Sequence, residues 1–169
     1  MYKKKLLKLV KGLRSLTRSQ SKHFDMNTWA EIDEYDFING KCSLDPKIDP
    51  KETGRFPLEC QKLSCDTAAC ALGWATAFFP RSNLKLKFDG ASSLLDVEYT
   101  NKDSTYSDIE AGQKMFGLTH DESNYLFNPC WYPQTIKLTP KYVASRIEKL
   151  VETNGQSCKR YVEKMYSYN

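Results

Sequence analysis

The chain has 169 residues, of which 40% are hydrophobic and 12% aromatic. This length fits one domain, and the composition is that of a chain that buries a core, which argues against extended disorder. The net charge of +4 is distributed unevenly. Residues 1–24 hold eight basic side chains and no acidic one, whereas the remainder carries 17 basic against 21 acidic residues. A basic field over the whole domain, typical of nucleic-acid-binding proteins, is therefore excluded.

The sequence predicts neither a membrane span nor a secretory signal. No run reaches the ~18 apolar residues that a spanning helix needs. Lys8 and Lys11 interrupt the apolar positions that a signal sequence would need in one run. We therefore expect a cytoplasmic protein with reduced thiols. The thiols belong to Cys42, Cys60, Cys65, Cys70, Cys130 and Cys158.

Residues 2–16 predict an amphipathic helix. Apolar residues recur at steps of three and four (Tyr2, Leu6, Leu9, Val10, Leu13 and Leu16), and the basic residues fall between them (Lys3, Lys4, Lys5, Lys8, Lys11 and Arg14). Such a helix either docks its leucine stripe on the domain or serves as an arm for a membrane surface, an anionic partner or a nucleic acid. The regular stripe favours docking. We divide the chain into a basic helix with its connector (1–23) and one helical domain (24–169) with a long loop at 39–62.

The centre of the domain is predicted to be a helix over residues 66–79. Asp66 or Thr67 could cap its start, and Pro80 follows its end. Residues 68–75 are small or apolar on every side, which predicts a buried helix with others packed around it. Alternating residues at 84–88 and 95–99, separated by a turn at 89–90, predict a β-hairpin.

Helix start signals dominate the second half. Ser107 with Glu110 and Thr119 with Glu122 have the spacing of capping boxes, and Gly117 lies where a helix should end. Thr139 followed by proline predicts the start of another helix, and a last short helix is expected near residues 158–166. The predicted fold is mainly α, a compact bundle of about six helices around the buried small-residue helix, with one small β-hairpin.

No motif assigns a reaction. The spacing of Cys60, Cys65 and Cys70 differs from that of structural zinc sites, and the acidic cluster at 25–36 lacks the calcium-loop pattern. The two histidines, His23 and His120, belong to no catalytic motif. We assign no catalytic residue, no metal and no cofactor, and keep as an alternative a small thiol- or zinc-dependent enzyme that uses Cys60, Cys65 and His120.

A proline-bounded loop at 128–133 carries the remaining candidate residues. Trp131 and Tyr132 either stack on a base and anchor a partner or fold inward to cap the core, and the inward arrangement is favoured. Arg146 is a candidate phosphate-binding fork. The predicted ligand-binding residues are Lys4, Lys5, Lys8, Lys11, Arg14, Trp131, Tyr132 and Arg146.

Four blocks in order resemble a family of small uncharacterised proteins from bacteria and phages. They begin with Phe24-Asp25-Met26-x-x-Trp29 and Cys65-x-Thr67-Ala68-Ala69-Cys70-Ala71-Leu72-Gly73-Trp74-Ala75. They continue with Phe116-Gly117-Leu118-Thr119-x-x-Glu122-x-x-x-Leu126-Phe127-x-Pro129 and Thr139-Pro140-x-x-Val143-Ala144-x-Arg146-Ile147. The resemblance covers about residues 24–152, with Asp66 departing from the usual glycine. It transfers no activity and implies a prokaryotic or viral setting in the cytosol, where phage accessory proteins often neutralise a host factor.

Together these features predict a non-enzymatic accessory protein of a bacterium or phage. It would bind or sequester a host protein or an anionic, nucleotide-type ligand. Besides the thiol- or zinc-dependent enzyme, a DNA-associated regulator that uses the basic N-terminal helix is an alternative. Self-association is left open.

Overall fold

The computed structural model describes residues 1–22, 24–26, 30–31, 68–88 and 94–167. In these ranges seven α-helices pack together with a small antiparallel sheet. The helices are α1 (Lys3–Ser15), α2 (Arg18–Lys22), α3 (Ala71–Phe78), α4 (Asp108–Phe116), α5 (His120–Phe127), α6 (Pro140–Glu152) and α7 (Gln156–Tyr166), with a 3-10 turn at Pro129–Trp131. The strands are β1 (Ala30–Glu31), β2 (Ala68–Ala69), β3 (Leu84–Phe88), β4 (Leu94–Thr100) and β5 (Thr105–Ser107).

The mainly α fold is confirmed, and the predicted hairpin belongs to a larger sheet. β3 pairs with β4 in antiparallel orientation, with Leu86 opposite Val97. β4 pairs further with β1 and β5, and β1 pairs with β2, so the strand order is β2-β1-β4-β3. The predicted turn at 89–90 lies outside the described residues. Leu84, Leu86 and Val97 are buried, so one face of the hairpin joins the core.

The central small-residue helix is buried as predicted but begins later. Ala68–Ala69 form strand β2, and α3 starts at Ala71. Its cap is Cys70, whose Sγ accepts a hydrogen bond from the amide of Gly73 at 3.4 Å. The predicted caps, Asp66 and Thr67, lie outside the described residues. Ala68 and Ala69 pair with β1 instead of joining the helix, and sequence periodicity does not report such pairing.

Helix α1 docks on the domain through its apolar stripe. Leu6, Leu9, Val10 and Leu13 are buried against the rest of the core, mainly beside α6. The approach to α3 is close, because a Cβ on Gly12 would lie 2.5 Å from the ring of Phe78. The docked interpretation of this helix is therefore confirmed. The predicted connector contains the short helix α2, and the domain boundary at residue 23 stays a prediction.

The later helices follow their predicted signals with one exception. Thr119 and Glu122 form the full capping box, Gly117 ends α4 in the left-handed conformation, and Thr139 Oγ1 accepts from the amide of Tyr142. Ser107 precedes α4, but its side chain makes no cap hydrogen bond. Asp108 has a φ of 49°, and this turn of the chain replaces the expected capping geometry. The last helix, α7, follows Gly155, whose φ is 88°.

Candidate functional site

The outward face of α1 carries the predicted basic residues. Lys3, Lys4, Lys8, Lys11 and Arg14 are exposed, and Lys5 is partly buried. We call the exposed lysines Lys3, Lys4, Lys8 and Lys11 the α1 basic face. Because Leu6, Leu9 and Leu13 of α1 are buried, docking leaves these four side chains exposed on the surface of the domain.

Some cations of α1 hold the helix in place. Lys5 Nζ donates to the carbonyl of Met115 at 3.0 Å and lies 4.9 Å from the centre of the Tyr2 ring. Arg14 forms an ion pair with Glu148 of α6. These contacts assign Lys5 and Arg14 to docking, and their ligand-binding role stays a prediction.

Within the described part of the chain, few contacts occupy the α1 basic face. Lys8 Nζ lies 4.7 Å from the centre of the Phe79 ring. For Lys3, Lys4 and Lys11, no carboxylate within the described ranges lies at ion-pair distance. The side chain of Leu7, between these lysines, is 47% exposed. A row of unneutralised charge with one apolar group at its centre can attract and hold an anionic surface.

Arg146 occupies the interior instead of presenting a fork to solvent. Its guanidinium carbon lies 3.8 Å from the ring centre of Tyr125, 4.1 Å from that of Tyr132 and 4.9 Å from that of Tyr161. We call these four residues the Arg146 cluster. Arg146 is only 8% exposed, and its Nη2 donates to the carbonyl of Trp131 at 2.7 Å. The ring faces stabilise the cation where no carboxylate of the described chain pairs with it.

Trp131 and Tyr132 also pack inward, the arrangement that the sequence favoured. The hydroxyl of Tyr132 donates to the carbonyl of Leu126 at 2.6 Å, and burial raises the pKa of this phenol. Trp131 is half-buried and stacks on Tyr161, with ring centres 6.0 Å apart. These packing contacts explain the positions of both aromatic residues without a ligand. Their binding role, like that of Arg146, stays a prediction.

A cleft of about 410 Å³ lies beside the proline-bounded loop. Its lining includes the exposed Cys130, together with Gln134, Lys137, Asp25 and Tyr132. One lysine and one carboxylate give this lining no excess of positive charge. The cleft therefore lacks the cluster of cations that phosphate groups require, and it does not favour a nucleotide-type ligand.

Two of the thiols in the described ranges, Cys70 and Cys158, are poorly suited to nucleophilic catalysis. Burial raises the pKa of Cys70 to about 12 and that of Cys158 to about 11, so both are protonated at neutral pH. Nδ1 of His120 is paired with the Gln113 amide at 3.1 Å. No group of three or more metal-ligating residues occurs within these ranges. Cys42, Cys60, Cys65 and His23 lie outside them.

No family model, curated protein or solved structure matches this chain. The resemblance to small bacterial and phage proteins therefore stays a prediction. Within the described ranges, no helix combines the length and apolar character that crossing a membrane requires.

Sequence analysis missed part of the positive surface. Arg81 is exposed in the turn after α3, and Lys85 Nζ donates to the carbonyl of Pro80 at 3.1 Å. Lys87 pairs with Glu98 at 2.8 Å. The alternation of Lys85 and Lys87 with leucines predicts a strand, but it does not indicate that these lysines extend the positive surface. The closeness of these cations to α1 depends on tertiary packing, which a local pattern does not report.

Asp108 gives the protein a pH-dependent stability. Burial, with Asp96 nearby, raises the pKa of its carboxyl group from 3.8 to about 6. The stabilisation by the protonated form is therefore fully present below pH 3.8 and is lost as the pH rises through 6. We expect Asp108→Asn to be more stable than the wild type at pH 7 by about 1 kcal/mol, after allowance for partial exposure, since asparagine also tolerates the positive φ.

Urea unfolding of both proteins at pH 7 and pH 3.5 measures this effect. The advantage of Asp108→Asn should shrink at the lower pH, where the aspartate is protonated in the folded state and mostly protonated in the unfolded state. An advantage that is equal at both pH values would contradict the assignment. Asp103→Asn, at an exposed position in the neighbouring turn, is the matched control.

Proposed function

We propose that this chain is a non-enzymatic binding protein that engages an acidic surface of a protein partner through the α1 basic face. The observation that carries the proposal is the row Lys4, Lys8 and Lys11. These residues follow one another at helical spacing on the exposed side of a helix whose opposite side is buried. The spacing of four and three residues places the ammonium groups along one line.

The shape of this surface favours a macromolecular partner over a free nucleotide. A nucleotide is usually bound in a concave site that covers most of its surface, whereas α1 presents a convex face. Insertion of α1 into a membrane would need the leucine stripe that is buried on the domain. An acidic protein surface fits both the lysines and the exposed Leu7, because interfaces combine an apolar contact with a charged rim.

The resemblance to small bacterial and phage proteins implies the cellular setting of this function. We propose a cytoplasmic accessory protein of a bacterium or phage, whose partner is a host protein. A DNA-associated regulator is the second candidate, because the same lysines could neutralise phosphates. The mildly acidic composition of the rest of the chain disfavours it.

Reversing the charge of the α1 basic face should remove binding. We expect Lys4→Glu/Lys8→Glu/Lys11→Glu to bind poly-L-glutamate at least about tenfold more weakly than the wild type, measured by fluorescence anisotropy at low salt. Wild-type binding should weaken as salt screens the charges. Arg14 and Lys5 are left unchanged because they hold the helix.

The matched control is Lys137→Glu/Lys159→Glu/Lys164→Glu, which changes the net charge equally at exposed positions away from α1. This variant should retain near wild-type affinity. Equal losses in both triple variants would overturn the proposal. If the protein bound a duplex DNA of about 20 base pairs but not polyglutamate, the partner of the α1 basic face would be a nucleic acid and not an acidic protein.

A further inference from the structure

Among the strands that the structure describes, β3 is an edge strand. It ends the strand order, and its only partner in these ranges is β4. Within the described ranges, no backbone hydrogen bond reaches the outer side of its central residue, Leu86. A free strand edge is a template for another extended chain.

The hydrogen-bonding pattern identifies the groups on that edge. The amide of Thr100 donates to the carbonyl of Asn83 at 3.1 Å, so residues 83 and 100 form a hydrogen-bonded antiparallel pair. Because such pairs alternate along a ladder, the amides of Lys85 and Lys87 point towards β4. The amide and carbonyl of Leu86 then point outwards. In agreement, the amide of Leu84 donates to Ser82 Oγ at 3.2 Å, away from β4.

Positive charge borders this edge. Lys85 and Lys87 lie on the solvent face of β3, which carries a groove of about 400 Å³ that Lys102 also lines. The one carboxylate in the lining, Glu98, is paired with Lys87. The groove therefore has an excess of cations. Lysines on an edge strand oppose pairing with a second copy of the same edge and favour an acidic strand.

The β3 edge and the α1 basic face lie close together. Lys8 Nζ is 4.7 Å from the Phe79 ring, and Lys85 Nζ is 3.1 Å from the carbonyl of Pro80, the next residue. Arg81 is exposed beside them. The ammonium groups of Lys8 and Lys85 therefore contact two consecutive residues, Phe79 and Pro80, and a short stretch of extended chain can reach both.

We propose that an extended acidic segment of the partner adds to the outer edge of β3 as a strand and continues across the turn at 79–82 to the α1 basic face. This inference rests on the proposed function and gives it a binding mode. Backbone hydrogen bonds to Leu86 would supply affinity, and acidic side chains on alternate residues would meet Lys85 and Lys87. A nucleic acid has no peptide backbone to pair with this edge.

The test uses a synthetic peptide of about twelve residues that alternates glutamate with valine. Two further peptides carry N-methyl groups on every second amide, one in each phase, so that each has one strand edge blocked. The 169-residue protein is titrated with all three, and amide hydrogen exchange is followed by NMR. The parent peptide should slow the exchange of the Leu86 amide at least about tenfold, while the amides of Lys85 and Lys87, already bonded to β4, change little.

We expect one methylated phase to bind at least about tenfold more weakly than the other, because only one edge of the peptide faces β3. Equal affinity of both phases, with unchanged exchange at Leu86, would overturn strand addition. If the peptides still bound the wild-type protein, and the α1 triple variant still bound them with lower affinity, the proposed function would survive that result. If the α1 triple variant bound as tightly as the wild type, the proposed function itself would fail.

Discussion

Replacing Arg146 by alanine is expected to lower the free energy of unfolding by about 3 kcal/mol. The substitution empties the space between the rings of Tyr125, Tyr132 and Tyr161 and leaves the partly buried carbonyl of Trp131 without this donor. Arg146→Lys should be intermediate, at about 1–2 kcal/mol, because an ammonium group cannot lie flat against several rings. Urea unfolding followed by tryptophan fluorescence measures both variants.

Arg160→Ala is the matched control for this prediction. Arg160 is exposed on α7 and its Nε donates only to its own helix, to the carbonyl of Gln156. Its loss should change the free energy of unfolding by less than about 0.5 kcal/mol. An Arg146→Ala protein as stable as Arg160→Ala would contradict a structural role for the Arg146 cluster and would reopen its assignment as a phosphate fork.

The second large effect is expected at Leu9. This side chain is fully buried between α1 and the domain, so Leu9→Ala should lower the free energy of unfolding by about 3 kcal/mol. Leu7 is on the same helix but 47% exposed, and Leu7→Ala should cost less than about 0.5 kcal/mol. Both variants make the same change in helix propensity, so their difference isolates burial. Equal unfolding free energies for the two variants, measured in urea, would show that α1 is a free arm.

The features that the sequence predicted well are those with a local cause. The capping box of Thr119 and Glu122 and the left-handed Gly117 each depend on residues within one turn. The leucine stripe of α1 predicted docking because its period matches a helix. The alternation of apolar and polar residues in β3 and β4 predicted two paired strands, because its period of two matches a strand.

The features that it missed depend on tertiary contacts. Whether Ala68 and Ala69 extend a helix or pair as a strand is decided by β1, which is distant in sequence. The spacing of Ser107 and Glu110 is that of a capping box, yet the positive φ of Asp108 prevents it. A local pattern does not report a backbone conformation that the surrounding packing imposes.

The candidate site shows the same division. The lysines of α1 were found from sequence because their charge is local and unbalanced. The enclosure of Arg146 could not be predicted from the sequence, because the three tyrosines around it come from three separate segments of the chain. The continuity between Lys8, Arg81 and Lys85 likewise arises only when α1 packs beside α3.

Locating the bound acidic polymer on the protein surface tests the proposed function most directly. Carbodiimide coupling of poly-L-glutamate to the wild-type protein, followed by peptide mass spectrometry, reports which lysines lie against its carboxylates. Cross-links should be concentrated at Lys4, Lys8 and Lys11. Cross-links found equally at Lys137, Lys159 and Lys164 would contradict a binding surface on α1.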